Sequence, residues 1–207
     1  MTNTKVTIKQ TPRDGAATLV RSIFAGVAIG IGGMAFLSVQ IPYLGAFIFT
    51  VGLAAVCYLG YDLYTGKVGY VSNKQDVLKC LIYILGNLIG TAIVALIGQP
   101  GIHDVALKVA EAKLQLPLWS VLLKAIGCGF LMFFAVDVFK KYQHNPIGIM
   151  LGIPAFIICG FEHSIADMYY FLAAGVISWS AVGFIIVVII GNALGALSNK
   201  LLKPVEK

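Results

Sequence analysis

Six stretches of the chain are long and apolar, with the charges gathered at the joints between them: roughly 18–39, 43–72, 76–98, 118–139, 146–175 and 179–201. A helix crossing a hydrocarbon core of about 30 Å needs about 20 largely apolar residues, so the pattern predicts six transmembrane helices. The second and fifth are too long. Thirty residues of straight helix would reach about 45 Å at about 1.5 Å per residue, so these two must tilt, break or fold back.

The second and fifth stretches align at an offset of 100 residues. Gly52 matches Gly152, Gly60 matches Gly160, and Tyr61-Asp62 matches Phe161-Glu162. The third and sixth stretches share GN-x-x-G, at Gly86-Asn87 with Gly90 and at Gly191-Asn192 with Gly195. The first and fourth pair Arg21 with Lys124 and Gly26 with Gly129. Each half carries three spans, an odd number, so the halves must point opposite ways. The expectation is an all-α membrane protein of one domain, 1–207, with six helices in two inverted three-helix repeats of about 15–98 and 118–201. Such repeats build a substrate path near the midplane from interrupted helices. The expected breaks in spans two and five follow Gly60 and Gly160, because non-helical backbone at membrane depth is tolerated only where protein buries it or it lines a cavity.

Composition agrees. The chain is 59% hydrophobic and 12% charged, with a mean hydropathy of +0.90, whereas a soluble domain is about half apolar and a quarter charged. The net charge of +6 reads as topology and not as a nucleic-acid footprint, since twelve of the fifteen Lys and Arg fall on one side of the spans. That excess predicts both termini in the cytoplasm of a cell membrane. No removable signal peptide is expected. Cys57, Cys80, Cys128 and Cys159 lie in apolar runs without CxxC or Cys/His spacing, so no metal, cofactor or disulfide framework is expected.

GFEHSIADM, 160–168, places Glu162, His163 and Asp167 inside an apolar run. Ionisable groups within a span are costly and line pathways. His163 therefore reads as pore-lining in preference to a structural hydrogen-bonded residue. Thr65, in the matched YDLYTG, suits a pore contact or a bond to His163 equally with local capping of broken backbone. Asp62 and Glu162 are expected to bind free amides where the half-helices start. Lys124 reads as an electropositive lure for anions, against snorkelling to headgroups, and its counterpart Arg21 as a topology anchor. Phe49 and Phe156 are core by spacing, or constrictions that gate by dewetting. No Walker motif, nucleophile elbow or HExxH is present, so an enzyme is not expected. Two other readings stay open: a pore for neutral solutes such as water, ammonia or urea, and a non-transporting membrane partner subunit.

GFEHSIADM resembles the fifth-span signature of the formate/nitrite transporter family, usually GFEHSIANM, and YDLYTG resembles its second-span ELFTG. Lys124 in the fourth span and GNALG in the sixth also fit, over about residues 15–200. The resemblance implies an aquaporin-like homopentamer in the lipid bilayer, with a pore in each protomer for small monovalent anions or their weak acids: formate, nitrite, hydrosulfide, acetate or lactate. It implies that His163 is the central pore histidine, Thr65 the facing threonine and Tyr64 the stand-in for a phenylalanine. It places Phe49, Leu53 and Phe156 at constrictions and Lys124 on the outer side. Asp167 stands where asparagine is usual, and CGFLM, 128–132, where many relatives have CNWLV. The expected mechanism concentrates the anion at Lys124 and neutralises it with a proton from His163 or nearby water, because a bare buried charge is very costly.

Overall fold

The computed structural model describes residues 15–98 and 101–199. Lys5, Lys9, Arg13, Lys200, Lys203 and Lys207, on which much of the expected orientation rests, lie outside the described residues. The described fold is helical. Helix α1 spans Gly15–Ser38; α2, Pro42–Ile48, is followed by α3, Thr50–Leu59, and by the short α4, Tyr64–Lys67. Next come α5, Lys74–Ile97; α6, Ile102–Leu114; α7, Leu118–Lys141; α8, Ile147–Ile158; α9, Ser164–Ala173; and α10, Trp179–Ser198. Five stretches are long and apolar enough to cross a membrane: Gly15–Ser38, Pro42–Leu59, Lys74–Ile97, Leu118–Lys141 and Trp179–Ser198. Ile147–Ile158 is apolar but shorter.

Their outer faces carry bare apolar side chains, among them Leu96, 87% exposed, and Trp179, 90% exposed. Such surface suits lipid or a protein neighbour and not water. The inner faces are held together by close backbone approach. A Cβ added at Gly26 on α1 would strike the Asn87 carbonyl on α5, and one added at Gly129 on α7 would strike the Asn192 carbonyl on α10. With no hydrophobic drive between helices in lipid, this small-residue contact supplies the packing. Gly86 and Gly90 face successive turns of α1, and Gly191 and Gly195 successive turns of α7, so each pair of helices runs parallel.

Helix α6 was not expected; 102–114 read as a connection. Ile102, Ala106 and Ala110 form a buried stripe at helical spacing, and α6 packs on α9 and α1.

Candidate functional site

The segments after α3 and α8 fold alike. Gly60 and Gly160 take left-handed backbone, with φ of +65° and +64°, where a Cβ would be strained. The amides of Tyr61 and Phe161 then turn back to the carbonyls of Val56 and Phe156, each at 2.9 Å. This is the Schellman way of closing a helix. Leu63 and His163 follow in extended backbone, and α4 and α9 begin after them.

Each restart leaves amides without helical partners. Asn87 Oδ1 accepts the Tyr64 amide at 2.9 Å, while its Nδ2 donates to the carbonyls of Ser22 at 2.7 Å and Asp62 at 3.1 Å. Asn192 does the same for the other segment. It accepts from the Ser164 amide and donates to the carbonyls of Ala125 and Glu162, all at 2.9 Å. These amides were expected to go to Asp62 and Glu162. An asparagine serves better because it accepts and donates at once, and a carboxylate cannot donate to the freed carbonyl.

The carboxylates instead face cations. Asp62 lies 3.0 Å from Lys67 and 4.0 Å from Arg21. Glu162 is paired with Lys113, whose ammonium is also 2.9 Å from Asp167 Oδ1. Burial works against the charge on Lys113, but Asp167 and Glu162 outweigh it and hold the ammonium above its ordinary pKa. Lys113 continues the buried stripe of α6. A lysine on an apolar stripe is the signal that sequence reasoning passed over.

His163 and Thr65 meet, with Nε2 and Oγ1 2.9 Å apart. His163 also caps α9, its Nδ1 accepting the Ala166 amide at 3.1 Å. That bond assigns the tautomer: a neutral ring carries its proton on Nε2 and donates it to Thr65, leaving the threonine O–H for a third group. Phe156 lies over the imidazole with ring centroids 5.7 Å apart, and Phe49 meets Phe156 edge-on at 6.0 Å. Phe49, Leu53 and Phe156 are all buried. Tyr64 is buried too, but its hydroxyl donates to the Ile189 carbonyl at 3.0 Å.

Two cavities flank this core. The first, about 360 Å³, is lined by His163, Phe156, Lys113, Lys124, Glu162 and Asp167, with Gly160 and Tyr170 among its other walls. The second, about 280 Å³, is lined by Cys57, Gly60, Leu63, Lys67, Lys140 and His144. Arg21 stands at the Gly60 end, donating to the Gly60 carbonyl from Nη2 at 2.7 Å and Nε at 3.2 Å. Farther along the same helix, Phe36 lines the His163 cavity. Helix α7 presents Lys124 to the His163 cavity and, later in sequence, Val136, Phe139 and Lys140 to the other.

The formate/nitrite transporter family profile matches residues 3–200. The chain is 34% identical over 176 residues to the uncharacterized transporter YrhG of Bacillus subtilis, covering 73% of this chain and 66% of that protein. It is 27% identical over 175 residues to the formate channel BtFdhC of Bacillus thuringiensis, covering 73% and 68%. The aligned stretch thus spans about two thirds of the length of these relatives. A solved pentameric formate channel with formate bound superposes with a TM-score of 0.79 at 22% identity, over 91% of this chain and 95% of that one; the likeness is one of fold.

Proposed function

Because the chain belongs to the formate/nitrite transporter family, a family of multi-pass membrane transporters and not of enzymes, we propose that it passes small monovalent anions or their conjugate weak acids, of the formate, nitrite and hydrosulfide class, by a proton-linked route past His163. The observation that carries this reading is the buried imidazole hydrogen-bonded to Thr65, set against the stacked Phe156 and Phe49 and opening on a cavity lined by Lys113 and Lys124.

The route follows from charge. Among the described residues, Lys113 is balanced by carboxylates and Lys124 is not, so Lys124 supplies the local attraction for an anion. Phe49, Leu53 and Phe156 form an apolar barrier that an ion enters only at a prohibitive desolvation cost. A protonated weak acid meets a far lower one. At the barrier the Thr65 hydroxyl offers it a hydrogen bond. Small size and acid strength then set selectivity.

With it we propose a single domain of six spans in two inverted repeats, about 15–98 and 118–201, with the second and fifth spans interrupted after Gly60 and Gly160. The matching asparagine clamps and the opposite order in which α1 and α7 meet the two cavities favour it. We place the protein in the cell membrane with both termini cytoplasmic, as a homopentamer like the solved formate channel.

The test is flux. Purified protein in liposomes is expected to admit formate, nitrite and hydrosulfide faster at lower pH, and His163→Ala is expected to change both rate and pH dependence. Swelling with neutral solutes and no anion flux would sink the proposal.

A further inference from the structure

Lys113, Glu162 and Asp167 bring one ammonium and two carboxylates together in the wall of the His163 cavity. Glu162 is 2% exposed and Asp167 1% exposed. Both contact Lys113 Nζ. If both acids were ionised, these three groups would carry a net negative charge with no second cation paired to them among the described residues, a costly arrangement out of water. One proton makes the cluster neutral. Asp167 supplies a place for that proton to act, since its Oδ2 is buried without a hydrogen-bond partner while the residue lines the cavity.

Among the described residues, few titratable groups face Asp167. Lys113 comes from α6; Lys124 and the Cys128 thiol come from α7; Glu162, His163 and Tyr170 come from its own segment. His163 is poorly placed as a donor. Its Nδ1 accepts a backbone amide and its Nε2 proton is engaged with Thr65, so a neutral ring has no second proton to give.

We propose that Asp167, beside Lys113 and Glu162, holds one proton on its unpartnered Oδ2, and that this cluster protonates the anion entering the His163 cavity. The inference rests on the transport reading above. In the step, a carboxyl O–H bond breaks and the proton joins the anion's oxygen or sulfur. The carboxylate keeps the electron pair and the negative charge that the substrate has lost. Water on the open side of the cavity then returns a proton to the cluster. Loading also prepares the cavity electrostatically. With the proton bound, Lys113, Lys124 and the remaining carboxylate sum to a net positive charge that an anion cancels; without it they sum to zero.

Infrared titration of the full-length protein in liposomes reads that proton directly. Wild type is expected to show the C=O stretch of a buried carboxyl group at neutral pH, and both Asp167→Asn and Glu162→Gln are expected to lose it. Formate influx by wild type should level off as pH falls, when the cluster is loaded. In Asp167→Asn the plateau should vanish and influx should climb about tenfold per pH unit, as for an acid supplied by bulk water. Asp167→Glu retains the carboxyl and should keep both band and plateau, which a merely structural role would not require. Normal wild-type influx without the carboxyl band, or an unchanged pH profile in Asp167→Asn, overturns the inference. Absence of anion influx in wild type that still shows the band overturns the transport reading instead.

Discussion

Thr65 and His163 lie 98 residues apart in the chain and 2.9 Å apart in space. Removing the hydroxyl tests what that contact does. Thr65→Val keeps the shape but leaves the imidazole N–H without an acceptor, at a cost of about 1–3 kcal/mol. Formate flux in liposomes should fall, and Thr65→Ser should restore it. Phe156 tests the barrier. Phe156→Ala should lower stability by about 3–5 kcal/mol, measured by thermal unfolding in detergent, and should raise the flux of bulkier monocarboxylates such as lactate relative to formate. The histidine and its carboxylate neighbours stand out in the sequence because an apolar run has no ordinary use for them. Their partners do not stand out. Nothing in the residues around Asp167 announces Lys113, fifty-odd positions away in a different helix.

Asparagines are what let the helices restart. Asn87 and Asn192 each join an amide of the restarting helix to carbonyls of two other segments. Asn192→Leu removes all three bonds from a buried site and should destabilise by about 1–3 kcal/mol for each group left unpaired, visible as a lowered melting temperature. The repeated GN-x-x-G was legible in the sequence, but only as a match between the two halves. Its glycines pack, Gly86 and Gly90 against α1 and Gly191 and Gly195 against α7. The role of the intervening asparagine depends on which backbone groups the fold exposes to it. The two helix ends at Gly60 and Gly160 are more local, because a left-handed glycine is a property of the chain at that point. Helix α6 escaped notice since its thirteen residues are too short and too polar to resemble a span.

Across the whole molecule, α6 is tied to the rest by the Lys113 ion pairs. Lys113→Met leaves the buried Glu162 and Asp167 side chains without their cation, and breaking such a group costs about 3–5 kcal/mol. The triple replacement Lys113→Met, Glu162→Gln, Asp167→Asn removes the uncompensated charge and should recover much of the loss, as read by thermal unfolding of detergent-purified protein. Native mass spectrometry should find the homopentamer, which would cover part of the apolar surface that single protomers expose.

Local chemistry determined that this chain crosses a membrane, where its apolar runs lie, which glycines end helices and which titratable groups stand within an apolar run. Those properties depend on hydrophobicity and backbone preference, which act between near neighbours in sequence. The tertiary structure alone decided that Thr65 meets His163, that Asn87 and Asn192 close the freed backbone, and that Lys113 balances Glu162 and Asp167. A buried polar group takes the partner brought within about 3 Å of it, and only the packing of distant helices fixes which partner that is.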